Sequence, residues 1–190
     1  ITLVDYMGGD VEVERVATAG HMASIFPEKP SLSELLGHLV THGIHQPFKA
    51  VQLKFHIQCS IADALHIVYA KQASVNEYSG RYSKLVDSAF VPDADYLMKH
   101  MKNPSPQAAL KAARRMADLR MQSYADYSSL VDEVDLAREL ARAPLELNNH
   151  TSLFWKIELD DLVRFVQRKR SLLGESSSLF PYLLTMVLAA

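Results

Sequence analysis

Hydrophobic and polar positions alternate strictly over Val51-Gln52-Leu53-Lys54-Phe55-His56-Ile57, a period of two that predicts a strand with one buried face. Ile1 to Tyr6 alternates more loosely and stops at Gly8-Gly9, predicting a first strand and a turn. Thr151 to Ile157 is rich in β-formers and predicts another strand, with Phe154 and Trp155 assigned to the core. Elsewhere the period is helical. Ser31-Leu32-Ser33-Glu34 forms a capping box before Leu35, Leu36 and Leu39, so a helix is expected to about Gly43. Ser60 caps a helix expected through Lys71, with Ile61, Ala64, Leu65 and Val68 as its apolar face. Residues 93–147 are expected to be helical, with a break at Asn103-Pro104-Ser105-Pro106. Leu159 to Arg170 predicts a helix turning Leu162, Val163 and Phe165 inward, and Leu179 to Ala190 a final one. The stretches Pro27–Pro30, His45–Phe48, 72–83 and 174–178 read as loops. Strands this few and dispersed imply an α+β fold and argue against a doubly wound sheet.

Composition narrows the setting. The 190 residues are 48% hydrophobic and 22% charged, enough for a real core in one ordinary domain or a compact pair of lobes. A net charge of −2 carries no general pull towards nucleic acid or acidic membranes, so any anion site must be a local cluster. The single cysteine, Cys59, excludes an intrachain disulfide, and no apolar run reaches the length of a membrane span. The opening residues lack a signal-peptide pattern, so a cytoplasmic location is expected.

The densest candidate chemistry lies in Ser74-Val75-Asn76-Glu77-Tyr78-Ser79-Gly80-Arg81-Tyr82-Ser83. Hydroxyls and a guanidinium beside a glycine suit a phosphate or carboxylate, because glycine lets the backbone approach the anion. The same residues also describe an ordinary solvated loop. Among weaker constellations, His38, His42 and His45 have a spacing that hints at a metal, but helix-end histidines account for them and no metal is assigned. Cys59 lacks the electropositive setting of a reactive thiol and is read as structural.

Asn76-Glu77-Tyr78-Ser79-Gly80-Arg81-Tyr82-Ser83 resembles in full the Asn-Glu-x-Ser-x-Arg-Tyr-Ser run of the flavin-dependent thymidylate synthases, the ThyX family. Asp5-Tyr6-Met7-Gly8, Pro47-Phe48, Ala137-Arg138-Glu139-Leu140-Ala141-Arg142 and Phe154-Trp155-Lys156-Ile157 are similar, in order, to other segments of that family. The resemblance implies a single ThyX-like domain over residues 1–190, with an antiparallel sheet flanked by helices, in a homotetramer that shares its active sites. It implies FAD as cofactor, NADPH and methylenetetrahydrofolate as co-substrates, and a uracil nucleotide as substrate. It places Glu77, Tyr78, Ser79, Gly80, Arg81, Arg142, His66, Tyr69 and Lys169 at the nucleotide, with Arg81 and Arg142 as the catalytic pair and Arg142 reaching from a neighbouring subunit. It places Gln46, Lys71, Gln72, Asn76, Glu77 and Arg164 at the flavin.

The sequence also departs from the family pattern. The signature Arg-His-Arg is Tyr69-Ala70-Lys71, the Gln one turn earlier is His66, and the late Asn-x-Arg is Glu158-Leu159-Asp160. Two acids where a flavin phosphate is expected would repel it, whereas Arg164, Arg168, Lys169 and Arg170 offer either replacement charge or a solvated helix face. Tyr69 offers a ring for stacking. The expected activity is C5-methylation of UMP or dUMP, as in the family's branch serving nucleoside-antibiotic pathways. A housekeeping thymidylate synthase and a flavin-deficient, catalytically dead nucleotide-binding paralogue are the alternatives.

Overall fold

The computed structural model describes residues 1–20, 28–69 and 73–173, the last five by backbone alone. These fall into two compact units: Ile1–Ile57, Val68–Asn76 and the chain from Phe154 onward form the first, and Gln58–Ile67 with Glu77–Leu153 the second. The final helix expected over Leu179–Ala190, and the loop before it, lie outside the described residues.

The fold is α+β, as the strand count implied. Four strands, β1 (Thr2–Met7), β2 (Gln52–Ser60), β3 (Ser74–Glu77) and β4 (His150–Glu158), form an antiparallel sheet in the order β1-β2-β4-β3. Pairing of β1 with β2 shifts register between Leu3 and Asp5, which leaves Val4 as an extra residue, a bulge on the edge strand. The alternation of β2 buries Leu53, Phe55 and Ile57 and turns Lys54 and His56 the other way. On β4 the same period buries Trp155 and Ile157 but exposes Phe154, so Phe154 is not a core residue: the neighbour of a buried Trp must face outward. Part of the expected 72–83 loop is the strand β3.

Helices close the inner face of the first unit. In α2 (Leu32–Thr41) the capping box is present: Ser31 Oγ accepts the Glu34 amide at 3.3 Å, and Glu34 Oε2 accepts the Ser31 amide at 2.9 Å. Leu35 and Leu39 are buried with Val13 and Ala17 of α1 (Asp10–Ala19), a helix that the sequence pattern did not reveal. In α7 (Leu159–Leu173) Leu162 and Phe165 point inward and Phe165 meets Trp155 edge-on at 5.2 Å. Val163 does not share that face and is exposed, because one residue further is 100° around the helix. Burying Trp155, Phe55 and Phe165 contributes roughly 1.5–3 kcal/mol per side chain. Gly8 links β1 to α1 at φ 82, and a Cβ there would stand 2.9 Å from the Ala50 carbonyl oxygen, so only glycine fits without a shift.

The second unit is mainly helical, with α3 (Ile61–Val68), α4 (Ala94–His100), α5 (Pro106–Asp132) and α6 (Arg138–Ala141). Ser60 Oγ accepts the Asp63 amide at 3.0 Å and caps α3 as expected. The buried face of α3 is Ala64 and Ile67, whereas Leu65 and Val68 are exposed. The helix gives way to a turn at Tyr69, earlier than expected. The Pro104–Pro106 break is real: Ser105 caps α5 and Pro106 occupies its first turn.

Candidate functional site

The run Glu77–Ser83 leaves β3 as a turn anchored to α5. Tyr78 extends the strand pairing through its amide to the Ser152 carbonyl at 2.8 Å, and Tyr82 and Ser83 both donate amides to the Ser79 carbonyl at 3.3 Å. Just beyond, the buried Tyr127 hydroxyl accepts the Leu85 amide at 2.9 Å and Tyr124 donates to the Leu85 carbonyl at 3.0 Å. Lys84 Nζ donates to Ser128 Oγ at 2.9 Å and pairs with Asp132. Tyr124, Tyr127, Ser128 and Asp132 recur at helical spacing on one face of α5, so a single stripe fixes the loop's far end. That spacing is visible in the sequence itself. The Lys84–Asp132 contact holds the Asp132 carboxyl below, and the Lys84 ammonium above, its ordinary value, through their hydrogen bond in both cases.

Within this turn Ser79 is half-buried and Arg81 and Tyr82 are exposed. Gly80 is buried, and a Cβ on it would lie 3.3 Å from both Leu85 methyls. Its lack of a side chain therefore serves packing on Leu85. Arg81 Nε pairs with Glu139 Oε2 at 2.6 Å, and Arg138 donates to the Tyr82 carbonyl at 3.3 Å, so α6 lies against the turn. Glu139 was not among the expected site residues. Arg142, the C-cap of α6, is exposed, and among the described residues no carboxylate pairs with it. Glu77 Oε1 accepts the Thr151 hydroxyl at 2.7 Å. His66 is exposed on α3, in the same unit. The second unit thus holds Glu77, Tyr78, Ser79, Gly80, Arg81, His66 and Arg142 of the expected nucleotide set.

The remaining expected residues belong to the first unit, and several of its charges are already engaged. Asp160 does not face solvent where it would repel a phosphate: its side chain is 3% exposed and accepts Arg164 Nε on both oxygens, at 3.1 and 3.0 Å. His45 Nδ1 lies 2.9 Å from the same carboxylate. Glu158 pairs with Lys49 at 3.6 Å. Buried carboxylates keep their charge only when paired, which is why this acid takes two partners. Arg164, expected as replacement charge for a flavin, gives its Nε to Asp160, with its side chain 47% exposed. Gln46 opens the 3-10 turn Gln46–Ala50 beside His45. Tyr69 is 78% exposed. Lys71, Gln72 and the Lys169 side chain lie outside the described residues. Asn76 lines a depression of about 310 Å³ with Lys54, Ser74, Phe154 and Lys156.

Two further groups are inert or structural. Cys59 is buried, and burial first, then the Asp63 and Glu77 carboxylates, push its thiol up to about 12. The His38 and His42 rings stack at 4.0 Å, His42 Nδ1 lies 3.0 Å from the His38 carbonyl, and His45 turns to Asp160. Among the described residues no three His, Cys, Asp or Glu side chains are grouped to hold a metal, and no helix is long and apolar enough to cross a membrane.

A family model described as thymidylate synthase complementing protein matches residues 2–171. The chain is 34% identical over 174 residues to a flavin-dependent thymidylate synthase of Anaplasma marginale, covering 87% of this chain and 59% of that protein. It is 31% identical over 170 residues to one from Thermus thermophilus, covering 88% and 62%. The chain therefore spans about three-fifths of the length of these relatives. Among solved structures, the UMP/dUMP methylase PolB of Streptomyces cacaoi bound with 5-Br dUMP superposes with a TM-score of 0.73 at 25% identity, covering 86% of this chain and 75% of that one. Its complex with 5-Br UMP gives 0.74 at 23% identity, covering 87% and 74%.

Proposed function

The chain belongs to the thymidylate synthase complementing protein family, and from that premise we propose that it methylates C5 of a uracil nucleotide, UMP or dUMP, with a reduced flavin. The observation that carries this reading is the Glu77–Ser83 turn: its family-like run is intact, and α5 holds its far end in place. A site fixed before the ligand arrives loses less entropy on binding. In this reading Ser79 and Arg81 take the phosphate, and Glu77 and Tyr78 border the sugar and base. Arg142 reaches the base of a neighbouring subunit's nucleotide. Its exposed guanidinium, without a carboxylate among the described residues, supports a role outside its own chain. The assembly is then a homotetramer and residues 1–190 act as one functional domain, in the cytoplasm, without nucleic-acid partners. When bound, the FAD, once reduced by NADPH, would supply the hydride, with methylenetetrahydrofolate as carbon donor. In this reading the exposed His66 offers a partner to a 2′-hydroxyl, so UMP is accepted beside dUMP.

A second reading, a nucleotide-binding relative that does not hold flavin, is favoured by one specific observation: Arg164 and Lys49 are engaged by Asp160 and Glu158. One preparation separates the two. Purified protein that is yellow, bleaches with NADPH and yields methylated UMP and dUMP in a mass-spectrometric competition supports the enzyme. Colourless protein that binds UMP supports the second reading.

A further inference from the structure

Glu77 is the one acid in the expected nucleotide set, and a residue with no assigned role holds it. It ends β3, where the strand gives way to the Ser79–Ser83 turn. The Tyr78 amide donates to the Ser152 carbonyl at 2.8 Å, which ties this end of β3 to β4 beside Thr151. Thr151 is 6% exposed and shares the inner face of β4 with Leu153. Its hydroxyl donates to Glu77 Oε1 at 2.7 Å, because an ionised carboxylate can only accept. Among the described residues no cation pairs with Glu77. The buried Cys59, whose raised thiol feels the Glu77 charge, is neutral and supplies no counter-charge. Thr151 stands 74 residues from Glu77 in the chain, so no local spacing links them.

We infer that Thr151 is a positioning residue of the nucleotide site: it fixes one oxygen of Glu77 and leaves the other to accept hydrogen bonds from the nucleoside. This rests on the uracil-nucleotide reading. Branching at Cβ restricts the Thr151 side chain to few rotamers, and burial on a paired strand holds it further. A long glutamate at the rim of a site would otherwise lose its rotamer freedom when the ligand arrives, at the expense of affinity. With one oxygen already engaged, that loss falls on folding. A hydroxyl also holds a carboxylate without neutralising it, as a lysine or arginine in its place would. The charge therefore remains for the N–H and O–H groups of base and sugar. Satisfying the buried Thr151 hydroxyl alone would not make UMP affinity depend on this bond, whereas positioning does.

A double-mutant cycle on the full chain, read by calorimetry with UMP, tests it. Thr151→Val keeps the shape and removes the donor, and should weaken UMP binding by about fivefold or more. Thr151→Ala removes the donor by a second route and should do the same. Thr151→Ser keeps the hydroxyl and should bind within about twofold of wild type. Glu77→Ala should weaken binding by about tenfold or more, and adding Thr151→Val to it should weaken it no further, because the threonine acts only through the carboxylate. Wild-type affinity in Thr151→Val or Thr151→Ala overturns the proposal. So does a loss in Thr151→Ser as large as theirs, or losses that multiply in the double variant. Wild-type protein that binds no UMP removes the uracil-nucleotide reading and this inference with it, a result separate from any pattern among the variants.

Discussion

The two units treat their charges in opposite ways. In the second, Lys84 and Asp132 pair with each other at the far end of the turn, Arg81 pairs with the exposed Glu139, and Arg142 has no carboxylate partner among the described residues. In the first, the expected cation Arg164 is folded onto a buried aspartate, with His45 as that acid's second partner. The difference shows what a resemblance in sequence cannot: a charged residue at a family position serves as a ligand group only if a ligand can displace the partner it already has, as at the exposed Glu139 and not at the buried Asp160. An arginine beside a buried carboxylate is committed to stabilising that acid, since an unpaired one there would be costly.

The comparison breaks first at Arg81. Arg81→Ala should weaken UMP binding by roughly ten- to a hundredfold, the value of a charge-assisted hydrogen bond. Isothermal calorimetry showing wild-type affinity would remove the phosphate role from the second unit. Next comes Asp160→Asn, which leaves Arg164 and His45 without their shared anion. With both partners about half-exposed, the expected loss of stability is ~1–2 kcal/mol, read from urea unfolding. The freed Arg164 should then retain more flavin through gel filtration than wild type. A variant that loses stability but gains no flavin would show that Arg164 is structural only.

Glu139→Gln should act in the opposite direction, and weakly. The Arg81–Glu139 pair is exposed on both sides, and such pairs contribute ~0.2–1 kcal/mol. A phosphate must displace Glu139 to claim the guanidinium, so removing that competitor should tighten UMP binding about two- to fivefold. Weaker binding in the variant would mean that Glu139 orients Arg81 for the ligand.

Much of this was legible in the residues. Strict alternation at Val51–Ile57 gave β2, and the Ser31–Glu34 box gave the start of α2. The Asn76–Ser83 run marked the turn. Helix α1 escaped because it has no side-chain N-cap and is rich in valine, although Val13 and Ala17 stand four apart on one face. One partner of Asp160, His45, escaped for a different reason, whereas Arg164 stands four residues on, at ordinary helical spacing. His45 lies more than a hundred residues before Asp160, and only the packing of the Gln46–Ala50 turn on α7 brings them together. Phe154 was misassigned because β-propensity marks a strand without saying which of its faces is inside.

The smallest expected effect concerns pH and the back of the turn. The Asp132 carboxyl is held below its ordinary value of 3.8, so its share of the anchoring is present above that value and lost as pH falls through the lowered one. The Lys84 ammonium is held above its ordinary 10.5, so its share is present below that value and lost as pH rises through the raised one. Between about pH 5 and pH 9 neither group titrates, and the anchor stays whole. The Leu85 amide, donated to the buried Tyr127 hydroxyl, reports on it. Its hydrogen-exchange protection factor, corrected for intrinsic exchange, should be flat over that range in wild type. Lys84→Met should lower it without creating a pH step. A step near neutral pH in the wild-type protein would place the anchoring on a histidine and not on the Lys84–Asp132 pair.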